Sequence, residues 1–358
     1  MLDIHASSRD LAMSAEELTT EKVSSGLRVS IVGIGGAGNN LLSGAISGGI
    51  SPRNCVAVNT DRYQLSASQA RNKVLVEETT AAGGCWTRED LSEVGMLAHR
   101  VSPFTRESDF TILLTGLGGV TGTMAGPAIA QLNLNQGRPV VSIVALPFIH
   151  ERERRFIALR GLKRMVESCD CTVVVDNAID FKPTSSSERG ADQTATLAVR
   201  SLSEVVAMGS PNVSPQILGI LRLGQVATVC VAPLNSNKRI QSAVIEALQT
   251  PSADIPLSRT KGAILLFRGP EPLSSGDAVH AYETVASFVG HDVEFVQLAT
   301  RSTSSPSLSV FLTGYSYDTA LGTFVDFIEG LYDMEYGIES HSSEVGLPVP
   351  LYQMEGLW

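Results

Sequence analysis

Charge of the kind that grips nucleic acid is missing from this chain. Its 358 residues hold 27 Lys and Arg against 37 Asp and Glu, a formal net charge of −10, without an uninterrupted run of basic residues. A general nucleic-acid binder needs a basic face, so that class is excluded. Long apolar runs are absent as well: none approaches the ~18 residues that a membrane span requires. The amino-terminal residues lack a basic-then-apolar signal pattern. Cysteine is scarce, with Cys55, Cys85, Cys169, Cys171 and Cys230 making an odd number that suits a reducing cytoplasm. Cys169-x-Cys171 has no His or second pair at ligand spacing, so two half-buried thiols are the better reading than a metal fragment. The six histidines are scattered and form no catalytic or metal pattern.

At 43% hydrophobic and 18% charged the chain is ordinary globular protein with material for a large core. Its most informative stretch is Gly116-Leu117-Gly118-Gly119-Val120-Thr121-Gly122-Thr123-Met124, after the strand-like run Phe110–Leu114 and before a helix-like segment opened by Met124–Pro127. Small residues and hydroxyls between a strand and a helix start form a phosphate cradle, because backbone N–H groups reach the anion and the helix N-terminus adds positive charge. No Gly-Lys-Ser/Thr follows, which rules out a Walker A loop. A second cluster, Gly33-Ile34-Gly35-Gly36-Ala37-Gly38-Asn39-Asn40, follows the strand Arg28–Val32. Alone it is a weak G-x-G-x-x-G match shared with dinucleotide folds. A dinucleotide enzyme would carry an acid at the next strand end, which here reads Val58-Asn59, and would leave the other glycine loop unexplained.

Short Val/Ile-rich segments alternate with helix-like ones from residue 27 to about 180, the pattern of a parallel sheet covered on both faces. The predicted strands are Arg28–Val32, Cys55–Asn59, Lys73–Val76, Phe110–Thr115, Val140–Ala145 and Thr172–Val175. A long helix is predicted over Ala191–Ala207. Beyond it come strands Val226–Ala232, Gly262–Arg268, Val293–Thr300 and Leu308–Thr313, with helices Ile240–Leu248 and Gly276–Val289 between them. Tyr317–Leu331 reads as helical.

The two glycine loops, Val58-Asn59-Thr60-Asp61 between them, and Pro147-Phe148 with the charged helix after it together resemble the FtsZ/tubulin superfamily. The Gly-Gly-Ala-Gly-Asn-Asn form looks most like archaeal FtsZ. The likeness covers roughly residues 27–315. It implies an α/β tubulin/FtsZ-like fold: a Rossmann-type parallel-sheet nucleotide domain, a long central helix and a smaller α+β second domain. The implied boundaries are 1–26 for a mobile arm, 27–190 for the GTP-binding domain, 191–209 for the central helix, 210–335 for the second domain and 336–358 for linker and carboxyl-terminal peptide.

The same resemblance implies GTP or GDP as ligand, with Mg2+ as a further candidate. Gly35, Gly36, Asn39, Asn40, Gly118, Gly119, Thr121, Gly122 and Thr123 would hold the phosphates, with Asn59 and Asp61 facing the same crevice. Glu151 would meet the ribose and Arg155 the phosphates. Asn177 and Asp192 would read the guanine edge. Two family glycines stand here as Val120 and Met124, where a side chain costs room or forbids φ > 0. Thr79–Trp86 keeps small residues but not the family order of its γ-phosphate loop.

In the family, hydrolysis is completed by carboxylates on a loop after the central helix that reaches the neighbouring subunit. Aligning Val226–Val229 with the family's next strand puts Ile220, Arg222 and Gln225 at those places, and no Asp or Glu occurs from Val205 to Ile245. The implied activity is GTP binding with weak or absent turnover. The implied partners are further copies in a head-to-tail filament or an FtsZ paralogue, with a membrane-anchor adaptor docking on residues 345–358. A non-hydrolysing scaffold that caps or copolymerises with an active relative stays open beside it. The location implied is cytoplasmic, with recruitment to the membrane or division site.

Overall fold

The computed structural model describes residues 27–76, 88–179, 191–207, 214–234, 239–271, 273–301 and 306–319, with the side chains of 88–94, 191–192, 207 and 214 left aside. The expected arm 1–26, the loop Thr79–Trp86 and everything after Thr319 lie outside the described residues.

Ten strands form one sheet: β1 Val29–Ile34, β2 Cys55–Asn59, β3 Asn72–Leu75, β4 Phe110–Gly116, β5 Val140–Leu146, β6 Cys171–Asp176, β7 Val226–Pro233, β8 Gly262–Gly269, β9 Glu294–Arg301 and β10 Ser307–Tyr315. Their order is β3-β2-β1-β4-β5-β6-β7-β10-β8-β9. From β3 to β7 every pairing is parallel. On the far side β10 runs antiparallel to both neighbours, and β9 pairs parallel with β8. The two halves join through β6 and β7, in register only at Thr172 with Val226 and Val173 with Ala227.

Strands β1, β4, β5 and β6 are apolar on both faces because both faces are covered. One face packs against α1 Gly35–Ser47, α2 Arg62–Ala67, α6 Ala191–Ala207 and α7 Ser214–Leu221, with Ile31, Leu42, Ile112, Leu202 and Ile220 in that core. The other packs against α3 Arg88–Thr105, α4 Val120–Asn135, α5 Arg152–Glu167, α8 Ile240–Leu248 and α9 Ser275–Val289. Helix α6 is helical because its apolar residues recur every three or four places. Ala195, Ala198, Val199, Leu202, Val205 and Val206 are all buried on its sheet side.

This order places the function-bearing loops. Strands β1 and β4 are neighbours, yet α1 and α4 that follow them lie on opposite faces. The chain therefore parts into a crevice at the carboxyl ends of β1 and β4, where an open α/β sheet takes its ligand. Both glycine loops lie at that point.

Candidate functional site

The floor of the crevice is backbone. Helices α1 and α4 begin on Ile34 and Gly119 without a side-chain cap, and neither has an acid in its first turn. Their first N–H groups point out of the helix with no intrahelical acceptor, and two converging helix N-termini make a strong anion site. The loops touch: the point where a Cβ would stand on Gly35 is 3.4 Å from the Gly122 nitrogen. Gly118 adopts φ +91°, and a Cβ there would lie 2.5 Å from the Arg154 carbonyl oxygen. Gly119 differs, with no atom within 4 Å of its absent Cβ, so it opens the cradle to the crevice.

Thr121 is half-buried, with its hydroxyl 3.5 Å from that of Thr60 across the crevice. Gly36 and Asn40 are exposed at the mouth. Asn39 is buried: its amide donates to the carbonyls of Gly35 at 2.7 Å and Val58 at 2.9 Å, tying α1 to the β2 end. Asn59, only 3% exposed, donates to Gln64 Oε1 at 3.0 Å and accepts from the Thr60 N–H at 2.9 Å. Asn177 follows β6 on the same rim of the sheet. The Oδ1 atoms of Asn39 and Asn177 are buried without a hydrogen-bond partner among the described residues. Burying an acceptor unpaired costs about 1–3 kcal/mol. Two at one rim fit a crevice that meets a ligand rich in N–H or O–H donors.

Several residues expected at the ligand are engaged in holding the loops. The Asp61 carboxylate caps α2, accepting from the N–H groups of Tyr63 at 2.7 Å and Gln64 at 3.1 Å. Thr123 is fully buried and accepts from the Gly118 N–H at 3.0 Å, which shapes the turn from inside. Glu151 accepts from the Phe148 N–H and from Arg154 at 2.6 Å. Arg155 is turned inward. At 2% exposure, it makes two parallel bonds to Asp176 and a third to the Pro147 carbonyl. The pair steadies the β6 end that carries Asn177, since Asp176 also accepts from the Ala178 N–H. Asp192 lies in the first turn of α6, its side chain outside the described residues.

The two substitutions in the second loop also read differently in three dimensions. Met124 is helical and buried, so its side chain does not enter the cradle. Val120 stands 44% exposed at the first position of α4.

Arg222 and Gln225 are not in the loop that follows the central helix. That loop is 208–213, outside the described residues, and α7 intervenes before them. Both sit at the opposite end of the sheet from the crevice. Arg222 pairs with Asp170 just before β6, and Gln225, directly before β7, accepts from the Tyr317 N–H. The carboxyl-free character of the 208–213 stretch nonetheless stands, since Met208–Val213 contains no acid. Thr60, Gln64 and Asp176 are the site-shaping residues that sequence reasoning missed. Thr60 lies inside the quoted Val58–Asp61 stretch, and Asp176 directly precedes Asn177.

The Tubulin/FtsZ family, GTPase domain, matches residues 28–179. Cell division protein FtsZ 1 of Methanocaldococcus jannaschii is 31% identical over 271 residues, 73% of this chain and 74% of that protein. The solved structure of an empty FtsZ dimer from M. jannaschii superposes with a TM-score of 0.70 at 27% identity, covering 84% of this chain and 90% of its own. A GTPγS-bound protofilament of CetZ2 from Haloferax volcanii, at 20% identity, shares the fold with a TM-score of 0.69, covering 87% of this chain and all of its own.

Proposed function

The chain belongs to the tubulin/FtsZ family, and from that premise we propose that it binds a guanine nucleotide between its glycine loops and assembles head-to-tail into filaments. The observation that carries the binding is the convergence of two uncapped helix N-termini, α1 and α4, with Gly119 open between them. Gly35, Gly36, Gly118, Gly119, Thr121 and Gly122 would hold the phosphates. Asn177 and Asp192 would face the base, and Asn39 and Asn59 hold the rim. An acid at Asp192 accepts from guanine N1–H, which adenine lacks. Mg2+ would be held by phosphate oxygens and the Thr121 hydroxyl.

Filament growth brings the opposite end of one sheet onto the crevice of the next copy. Tyr63, Val120, Phe148 and Ile149 are exposed apolar side chains on elements at the crevice end, the kind of surface that a partner covers. Without a carboxylate on the 208–213 loop, attack of water on the nucleotide lacks its polarising base, so turnover is slow or absent. A polymer of this chain alone is the first reading. Copolymerisation with a hydrolysing relative is the second, favoured by the same missing acid. Residues 345–358 would take a membrane-anchor adaptor and bring the protein to the membrane from the cytoplasm. The test is phosphate release with pelleting at several protein concentrations in GTP. Pelleting with release ~10²–10⁴-fold below that of an acid-bearing relative is expected. Brisk, concentration-dependent release would overturn the slow-turnover reading.

A further inference from the structure

The ten-strand sheet is open at both margins. Strand β3 ends it on one side and β9 on the other, each paired with one neighbour only. An open edge presents unpaired backbone and is a place where another chain can pair.

The two edges carry opposite charge. Residues 48–76 hold Arg53, Arg62, Arg71 and Lys73 against a single acid, Asp61, whose carboxylate caps α2. Arg53, Arg71 and Lys73 are exposed, and the Arg71 N–H donates to the Pro52 carbonyl at 3.1 Å, which sets Arg71 beside Arg53. Neither guanidinium has a partner among the described residues, and the Lys73 amine donates to the Ser66 carbonyl at 2.8 Å. At the amino end of the β9 edge, Asp292 and Glu294 are exposed, again without a side-chain partner among the described residues. Lys261, whose carbonyl accepts from the Glu294 N–H, forms no ion pair with it.

Direction and face agree as well. Strands β3 and β9 run the same way, since the two antiparallel pairings of β10 cancel. Side chains alternate along a strand. Lys73 therefore shares the face of Leu75, and Glu294 that of Val296 and Leu298, and all three apolar residues pack into the one core beneath α1 and α6. The charge order is reversed between the edges: β9 ends on Arg301, whereas Glu77 and Glu78 follow β3 in the sequence. Antiparallel pairing of β9 with its own copy would not match, because Glu294 and Arg301 lie on opposite faces of the strand.

We propose that the β3 edge of one copy is the docking surface for the β9 edge of a second copy pointing the same way, so that Arg53, Arg71 and Lys73 meet Asp292 and Glu294. The contact joins two different edges, so it does not close and adds copies side by side. It lies apart from the crevice at β1 and β4 and needs no nucleotide.

Within one chain Lys73 and Glu294 stand at opposite margins of ten strands, roughly 40 Å apart at the usual strand spacing. A zero-length link between them therefore joins two copies. The full chain at rising concentration, with and without GTP, is treated with a water-soluble carbodiimide that joins an amine to a touching carboxylate. Links from Lys73 to Asp292 or Glu294 are expected, their yield falling about fivefold or more between about 0.05 and 0.5 M salt. Arg53→Glu with Arg71→Glu should cut the Lys73–Glu294 link about tenfold, and adding Asp292→Arg to the same chain should restore it. Circular dichroism of both variants shows whether the fold is kept. Absence of Lys73 links to Asp292 and Glu294 in the full chain, with GTP and without, overturns the proposal. So does a double variant that links as well as the parent. Lys73 links that run only to acids in residues 1–26 or 320–358 also overturn it, since the edge then belongs to the chain's own segments. Pelleting in GTP without the Lys73 links leaves the head-to-tail reading standing and removes this one.

Discussion

At the scale of single residues, Arg155 is paired inward with Asp176, directly before Asn177 on the rim of the crevice. Both partners are largely out of water, with side chains 2% and 15% exposed, and their bidentate geometry satisfies both carboxylate oxygens. Removing one partner strands the other charge, which typically costs 3–5 kcal/mol. Asp176→Ala should therefore lower unfolding free energy in urea by about 3 kcal/mol, and guanine affinity should fall with it as Asn177 loses its support. An unchanged urea midpoint would show the pair to be ornamental. The thiols make a second residue-scale prediction. Burial pushes Cys55 and Cys230 each up to about 12 from 9.0. The folded state thus favours the protonated thiol. Stability is whole below pH 9 and is lost as pH rises from 9 through 12, by at least ~1 kcal/mol per pH unit. Denaturation midpoints at pH 7 and pH 10.5 check the sign, and iodoacetamide at pH 8 should leave these thiols unlabelled in the folded protein.

At the scale of elements, the glycines of the α4 loop divide into two kinds. A Cβ on Gly122 would run into the Gly116 carbonyl oxygen and sit 2.5 Å from the Thr115 hydroxyl, whereas Gly119 has open space and an ordinary φ of −98°. Gly122→Ala should fail to fold or lose several kcal/mol. Gly119→Ala should melt within a degree or two of the parent while nucleotide affinity drops about tenfold or more. A Gly119→Ala protein that binds normally would remove this loop from the site.

Sequence reading succeeded where short-range chemistry decides. All ten strands were legible as Val/Ile runs, and α6 and α8 begin and end where their apolar period does. The eight residues of α7 were not, because Pro215 and Gly219 within Ser214–Leu221 read as loop. Proline is tolerated in the first helical turn, where its missing N–H is no loss. That hidden helix displaced the placement of Arg222 and Gln225. The glycine loops were equally plain, but the engagements of Arg155, Asp61 and Thr123 depend on which chain segments meet. Arg155 and Asp176 are 21 residues apart and share no local signature.

At the scale of the molecule, the parallel half of the sheet gives the protein two unlike ends. The crevice end gathers open backbone N–H groups and exposed apolar side chains. The far end carries Arg28 paired with Asp109 and Arg222 paired with Asp170. That polarity is what the proposed head-to-tail assembly would use, with the nucleotide proposed for the crevice lying at one of the two ends. Among the described residues no helix is long and apolar enough to cross a membrane. The most direct measurement is equilibrium titration of nucleotide-free full chain with GDP and with ADP. The account predicts one GDP per chain, bound at least ~100-fold tighter than ADP, with the GDP affinity reduced in Gly119→Ala. Equal binding of both nucleotides, or GDP binding that Gly119→Ala leaves untouched, would contradict it.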